Sequence, residues 1–298
     1  MKLLITGAWK CTDEQLNKVK ELAHTVVFMQ NEKDELPCLY EEVEGVICNG
    51  LFLYHDIKKF KNLKYIQLTS AGFDRVPMDY VESHGIKIYN ARGVYSIPMA
   101  EFAVSGVLQL YKQSKFFYAN QKNCVWEKRR DLLELNGKSV CIIGAGNVGT
   151  ECAKRFKAFG CKVVGVDVFP KEDENYENVY PLESLDDVLS KSDVVVLTLP
   201  LTEKTKGLIN KNRFDKMKNN AVLVNIARGL VVEEKALLDA LDNKLLGAVV
   251  DVFESEPLPN DNPLWQKENV IITPHNSFVG DGNVERLQQV IIYNLEKC

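Results

Sequence analysis

No stretch of this 298-residue sequence approaches the roughly eighteen consecutive apolar residues that a membrane span requires, so no membrane partner is expected. Basic residues are not in excess: 37 Lys and Arg stand against 41 Asp and Glu, a net charge of −4. No nucleic-acid partner is expected on that balance, because a phosphate backbone is normally held by a basic face. Eight cysteines occur, at Cys11, Cys38, Cys48, Cys124, Cys141, Cys152, Cys161 and Cys298, but none forms a C-x-x-C pair or joins the four histidines at metal-ligand spacing. Several fall inside apolar runs, where Cys acts as a small hydrophobe, so no metal and a reduced, cytoplasmic setting are expected. Internal repeats and low-complexity tracts are missing, and the one Pro-rich stretch, 257–263, reads as a short loop. The opening residues 1–6 read as a first strand, with neither the apolar length nor the cleavage site of a signal peptide.

What remains is the composition of a soluble globular protein, 46% hydrophobic and 26% charged, long enough for two domains with a core each. Its organising stretch is Val140-Cys141-Ile142-Ile143-Gly144-Ala145-Gly146-Asn147-Val148-Gly149, an apolar run that breaks into G-x-G-x-x-G. Glycines at these offsets close a tight turn, let a pyrophosphate approach bare backbone, and let the next helix pack close to its strand. The helix start then offers N–H groups and a positive dipole end to phosphates. Residues 150–159 carry Ala153, Phe156 and Phe159 at helical spacing, and a second apolar strand ends in Asp167. An acid at that distance suits the adenine ribose hydroxyls; a mere loop cap is the alternative. Since a carboxylate repels a 2′-phosphate and no Arg or Lys immediately follows Asp167, NAD is expected over NADP, with Lys171 the nearest complication.

Along residues 1–97, short strand-like runs (2–6, 25–29, 43–48, 64–69, 86–89) alternate with helical ones, which implies a parallel sheet. Ser70-Ala71-Gly72 follows one of these strands with small side chains and consecutive N–H groups, either a carboxylate nest or a plain turn. Residues 98–121 read as one long helix, apolar on more than one face. It leads to 124–137, whose Trp126 and Lys128-Arg129-Arg130 suit an exposed arm, solvated or in contact with a second subunit. Residues 138–272 give six further strands, at 139–143, 162–166, 193–199, 221–226, 246–252 and 270–272, a full doubly wound set. Gly144, Asp167, Pro200, Arg228, Asp251 and His275 follow these strands in turn, and would converge on one crevice. The last segment, 281–298, carries Val284, Leu287, Ile291 and Leu295 at helical spacing and needs a surface to cover.

Hydride transfer to a small acid needs an anion anchor and a proton donor or acceptor. Arg228 has a planar fork that can bind a carboxylate through two hydrogen bonds, with Gly229 leaving room beside it. Among the histidines, only His275 stands at such a strand end; His24, His55 and His84 fall in helical or loop stretches of the first part. An imidazole ordinarily titrates near pH 6.5, so it can trade a proton at cellular pH. Glu254 and Glu256 are both candidates to hold the far ring nitrogen and fix its tautomer; spacing does not separate them.

These motifs resemble the D-isomer-specific 2-hydroxy-acid dehydrogenase family along nearly the whole chain. The resemblance stands on Thr69-Ser70-Ala71-Gly72-Phe73-Asp74, the 144–149 turn, Leu199-Pro200-Leu201-Thr202-Glu203-Lys204-Thr205, Asn225-Ile226-Ala227-Arg228-Gly229, the acidic stretch 251–257 and Thr273-Pro274-His275. It implies two Rossmann-like or flavodoxin-like doubly wound parallel-sheet α/β domains with a cleft between them: 1–97 plus 278–298 for substrate, and 98–277 for NAD. It also implies a homodimer built through the NAD-binding domain. By the same resemblance Arg228 anchors the substrate carboxylate, His275 is the acid/base, Glu256 its partner, and the backbone of Ala71 and Gly72 meets the carboxylate. Gly144, Gly146, Asn147, Val148, Gly149, Asp167, Pro200, Thr205, Ile226, Ala227 and Asp251, with Arg228 and His275, are implied to line the cofactor site, Asp251 at its nicotinamide end. Two departures stand out: Thr198 occupies a position where members often have His, and the stretch between Arg228 and Asp251 is one residue short near 242–244.

The expected activity is the interconversion of a small 2-oxo acid and its D-2-hydroxy acid. A phosphoglycerate-type enzyme and a non-catalytic NAD-sensing protein resembling corepressors are the alternatives. The phosphoglycerate type tends to have basic residues where this chain has Asn49 and Leu68, and a C-terminal regulatory domain without counterpart here. Both differences lean towards an unphosphorylated substrate, with Arg75 and Arg92 as cations that could still serve a phosphate.

Overall fold

The computed structural model describes residues 1–22 and 25–297; His24 and Cys298, named above, lie outside the described residues. The chain divides into two compact units, Met1–Tyr95 with Gly280–Cys298, and Ser96–Val279. The first unit begins with β1 (Lys2–Thr6), α1 (Asp13–Glu21), β2 (Thr25–Met29), β3 (Gly45–Cys48), β4 (Tyr65–Leu68), α2 (Met78–Ser83) and β5 (Lys87–Tyr89). Its sheet is parallel throughout, in the order β2-β1-β3-β4-β5, so the winding reverses between β1 and β3. The inner strands β1, β3 and β4 are buried at nearly every position because both their faces are covered, while the edge strands β2 and β5 are partly exposed. Leu4, Val46, Cys48, Ile66 and Leu68 enter one core layer, while Leu3, Ile5, Ile47 and Tyr65 enter the other. Thr12 starts α1 through a capping box: Gln15 N donates to its hydroxyl at 3.3 Å, and Thr12 N donates to Gln15 Oε1 at 2.9 Å.

The second unit contains α3 (Ser96–Tyr111), α4 (Ser114–Lys122), β6 (Ser139–Ile143), α5 (Asn147–Ala158), β7 (Lys162–Asp167), β8 (Asn178–Pro181) and α6 (Leu185–Lys191). It continues through β9 (Val194–Leu197), α7 (Lys211–Lys216), β10 (Val222–Asn225), α8 (Glu234–Asn243), β11 (Gly247–Val250) and β12 (Val270–Ile272). The seven parallel strands run β12-β11-β10-β9-β6-β7-β8, which is the dinucleotide-fold order with one extra strand, reversing between β6 and β9. Alternate residues again feed two layers, Ile143, Leu197, Leu223 and Val250 on one side, Ile142, Val196, Val224 and Val249 on the other. The chain then returns to the first unit as α9 (Asn283–Leu295), whose Leu287, Ile291 and Leu295 pack on Leu3, Ile5 and Ile47. Burying each such side chain is worth roughly 1.5–3 kcal/mol. Asn294 Nδ2 donates to the buried Gln67 Oε1 at 2.8 Å, and Arg286 Nε to Val94 O at 2.7 Å, which fixes the helix on its sheet.

Four details differ from the sequence reading. Residues 98–121 form two helices, not one, because Gln113 takes a left-handed φ of 51°. Contacts distant in sequence hold that break: Gln113 Nε2 donates to Asp131 Oδ2 at 3.1 Å and Lys112 Nζ to Leu133 O at 2.7 Å. The edge strand β8 adds a seventh strand; with two exposed residues out of four and a terminal Pro, it carries too little apolar pattern to register in sequence. Phe159 and Val284, read above as apolar positions at helical spacing with their neighbours, are exposed at the end of α5 and the start of α9. No helix among the described residues is long and apolar enough to cross a membrane.

Candidate active site

The carboxyl edge of the seven-stranded sheet gathers the chemistry. At the end of β6, Gly144 has φ +101°, and a Cβ there would lie 2.8 Å from Leu199 N and 2.9 Å from Thr198 C. A Cβ on Gly149 would lie 2.1 Å from Gly144 O, so α5 rests directly on the turn that precedes it. Those two glycines answer to the protein's own backbone. Gly146 does not: a Cβ there would meet nothing within 4 Å. A bare, exposed position at the start of α5 fits a pyrophosphate approaching backbone N–H groups, so the turn suits the dinucleotide that its pattern implies. Asn147 is exposed and Val148 half-buried beside it.

Asp167 closes β7, with Oδ2 accepting from Ala145 N at 2.7 Å and Oδ1 from Phe169 N at 2.9 Å. The turn itself therefore holds the carboxylate beside α5, with acceptor capacity left over for hydroxyl groups. Thr198, the departure noted above, donates its hydroxyl to Gly144 O at 2.7 Å and ties the end of β9 to the turn across the switch point. Pro200 is exposed. Thr205 is buried, donating to Pro200 O at 2.7 Å and accepting from Thr202 N at 2.7 Å, so it shapes the loop from within. Ile226 and Ala227 are buried.

β10, β11 and β12 are neighbours in register, so the residues that follow them come together by construction. After β10, Asn225 accepts from Ala227 N at 3.1 Å and donates to Arg228 O at 3.1 Å, folding the turn that presents Arg228. Arg228 is half-buried, and its Nη1 donates to Ala227 O at 2.7 Å. Gly229 is pressed against the segment after β11: a Cβ there would lie 1.9 Å from Phe253 C, 2.0 Å from Phe253 O and 2.5 Å from Glu254 N.

His275 follows β12 and adopts φ 51°, unusual for a side chain with a Cβ and a form of local strain that surrounding bonds must hold. Its N–H donates to Asp251 O at 2.8 Å and Thr273 O at 3.0 Å. The ring Nδ1 lies 2.8 Å from Glu256 Oε2, while Glu256 Oε1 accepts from Phe253 N at 3.0 Å. A carboxylate on Nδ1 leaves Nε2 for other chemistry. Phe278 meets the imidazole edge to face, with centroids 6.0 Å apart. Glu254, the rival in sequence, instead accepts from Glu234 N at 3.0 Å.

Asp251 is fully buried, and its carboxylate is engaged within the protein: Oδ1 accepts from Thr273 Oγ1 at 2.6 Å and Asn276 N at 2.8 Å, Oδ2 from Ser277 N at 3.0 Å. It strings together the loop that carries His275. Ser277 and Phe278 were not singled out by sequence, and Thr273 only as part of the Thr273-Pro274-His275 motif, because a loop's internal bonds leave no periodic trace; their nearness to His275 marks them. Ala71 and Gly72 belong to the other unit, just beyond β4, and their N–H groups take part in no hydrogen bond among the described residues. Tyr95 lies near them in that unit, donating its hydroxyl to Thr69 O, and burial pushes its phenol above the usual range.

Comparison with known proteins agrees with this geometry. Residues 104–277 match the D-isomer specific 2-hydroxyacid dehydrogenase, NAD binding domain. Glyoxylate reductase from Thermofilum pendens is 36% identical over 278 residues, 89% of this chain and 78% of that protein. D-3-phosphoglycerate dehydrogenase from Methanocaldococcus jannaschii is 33% identical over 280 residues, 92% of this chain but 53% of that protein, so the chain spans about half of it. The crystal structure of D-lactate dehydrogenase from Aquifex aeolicus, complexed with NAD and lactic acid, superposes with a TM-score of 0.79 at 28% identity, covering 99% of this chain and 94% of that one. The ordered set of strand-end residues, the sheet order and these likenesses agree: the chain belongs to the D-isomer specific 2-hydroxyacid dehydrogenase family.

Proposed function

We propose that this chain interconverts a small 2-oxo acid and its D-2-hydroxy acid with NAD as cofactor. NADH, when bound, supplies the hydride. The 2.8 Å bond between Glu256 and His275 Nδ1 is the observation that carries the reading. The carboxylate fixes the ring so that Nε2 can hand a proton to the substrate oxygen in reduction and take it back in oxidation. Arg228 grips the substrate carboxylate and draws electron density from the adjacent carbonyl. The backbone of Ala71 and Gly72 contributes further donors to that carboxylate. The open Gly146 position, the first turn of α5 and Asp167 hold the dinucleotide, with Asn147, Val148, Pro200, Ile226 and Ala227 along the cofactor and Thr205 and Asp251 shaping its site from beneath. Met1–Tyr95 with the last helix serves as the substrate domain and Ser96–Val279 as the NAD domain.

The chain works as a cytoplasmic homodimer through the NAD-binding domain. The exposed arm after α4 supports this, with Trp126 94% exposed and Phe117, Tyr118 and Val125 exposed beside it, a large apolar surface to leave in water.

NADH oxidation followed with pyruvate, glyoxylate, hydroxypyruvate and phosphohydroxypyruvate tests the proposal. At least one acid is expected to turn over, His275→Ala is expected to lower kcat by about 10² to 10⁴, and Arg228→Lys to raise KM and lower kcat together. Near-normal turnover in His275→Ala would refute the assignment.

A further inference from the structure

The carboxyl edge of the five-stranded sheet holds a group that the mechanism above does not use. We infer that Glu32 fills an anion-binding position at the switch point of that sheet with the protein's own carboxylate, and thereby excludes 2-oxo acids that carry a second anionic group, such as a phosphate, on C3. The inference rests on the proposed 2-oxo acid chemistry and narrows its substrate class.

In a doubly wound sheet, ligands collect beyond the strand ends where the winding reverses, here between β1 and β3. Three donors converge there: Thr6 at the end of β1, and the successive N–H groups of Asn49 and Gly50 after β3. Glu32 takes them all. Its Oε1 accepts from Thr6 Oγ1 at 2.8 Å and Asn49 N at 2.7 Å, and its Oε2 from Gly50 N at 2.7 Å. Consecutive backbone N–H groups beside a hydroxyl are what a phosphate needs, and a side chain already occupies them.

Its placement is fixed from behind. His55 is buried, and because a carbonyl only accepts, its Nε2 donates to Glu32 O at 2.9 Å, leaving Nδ1 to accept from the Tyr40 hydroxyl at 2.8 Å. Arg75 runs past Gly50, with its Cδ 3.6 Å from where a Cβ would stand, yet forms no ion pair with Glu32 among the described residues. The Asn49 Oδ1 beside this cluster is buried without a hydrogen-bond partner among the described residues. The position therefore carries the negative charge of the Glu32 carboxylate, which repels a phosphate while its remaining acceptor capacity suits a hydroxyl.

Its place in the sheet connects it to the substrate. β3 and β4 are paired, Cys48 opposite Leu68, and Thr69 N donates to Cys48 O at 2.9 Å. The Asn49–Gly50 donors thus lie about one strand spacing, roughly 5 Å, from the segment leading to Ala71 and Gly72. A three-carbon acid held there by its carboxylate can bring its C3 substituent to Glu32.

The test compares kcat/KM for hydroxypyruvate and 3-phosphohydroxypyruvate in the wild type, Glu32→Ala and Glu32→Gln, the last keeping size while removing charge. Thermal midpoints are measured alongside, in inorganic phosphate against chloride at matched ionic strength. The wild type should favour hydroxypyruvate, Glu32→Ala should move the ratio at least tenfold towards the phosphorylated acid, and Glu32→Gln should move it less. Phosphate should raise the midpoint of the Glu32→Ala protein and not that of the wild type. A wild type preferring the phosphorylated acid, or ratios unchanged in folded variants, overturns the inference while leaving the dehydrogenase reading intact. If neither acid is turned over, the phosphate-dependent midpoint alone decides whether Glu32 occupies an anion site, and the dehydrogenase reading itself fails only when pyruvate and glyoxylate are not turned over either.

Discussion

Replacing Gly229 with Ala adds one methyl group where the structure has no room for it. The new Cβ would stand 1.9 Å from Phe253 C and 2.0 Å from Phe253 O, against the 3.4 Å at which ordinary contact begins. The turns after β10 and β11 must therefore separate by about 1.5 Å, and since both neighbours are backbone, no side chain can rotate away. Phe253 N is bonded to Glu256 Oε1 at 3.0 Å, and Glu256 Oε2 to His275 Nδ1 at 2.8 Å, so the push travels to the imidazole. His275 cannot follow freely, because its N–H is tied to Asp251 O at 2.8 Å. In the role proposed for His275, a shift of that size costs on the order of 10² in rate. Overpacking of this kind costs roughly 1–3 kcal/mol of stability, which for a domain of this size is about 2–4 °C per kcal/mol. Steady-state NADH oxidation and a thermal melt read both effects. Pairing Gly229→Ala with Glu256→Gln should give losses in kcat that do not add, since both act through one contact. A variant with kcat within about twofold of wild type would refute the reasoning, as would fully additive losses.

Gly146→Ala, with open space around it, should change stability by less than about 1 kcal/mol yet weaken NADH binding tenfold or more; Gly149→Ala, 2.1 Å from Gly144 O, should destabilise the fold by about 1–3 kcal/mol. Equal melting losses in the two would contradict the division of labour among the glycines. Burial pushes the thiols of Cys141 and Cys152 up to about 12 and that of Cys161 up to about 11, so at pH 8 these three should resist a thiol reagent until the protein unfolds. Cys124 is exposed and should label first, and rapid native labelling of the buried three would count against the packing described. Partial burial of Asp193 works upward, but bonds from Lys218 Nζ and Ser139 N outweigh it and hold its carboxyl below the usual carboxylate value. A lowered folded value gives stability that is present above the ordinary carboxylate range and lost as pH falls through the folded one. Asp193→Asn should accordingly lower the melting temperature at pH 7 and much less near pH 2; an equal loss at both would refute it.

The fold was legible in the sequence because a parallel sheet covered on both faces leaves uninterrupted apolar runs, and each run is followed by the group that its position exposes. Gly144, Asp167, Arg228 and His275 could be found by looking just past a strand. Strands ended a residue or two sooner than the runs, and β8 escaped notice, since a half-exposed edge strand has little apolar pattern to show. The break at Gln113 left no Gly or Pro to announce it; bonds from residues 131 and 133 impose it.

By itself, then, the amino-acid order determined two parallel-sheet α/β domains, the glycine turn and the short set of side chains at strand ends, because these depend on local pattern. Tertiary structure decided what local pattern does not encode. Packing across β10, β11 and β12 put Glu256, and not Glu254, on the imidazole and buried Asp251 as the centre of the loop carrying His275, while in the other sheet the pairing of β1 with β3 set Glu32 on the N–H groups of Asn49 and Gly50. Each is a contact between residues distant along the chain, and direction in space exists only once the sheets have formed.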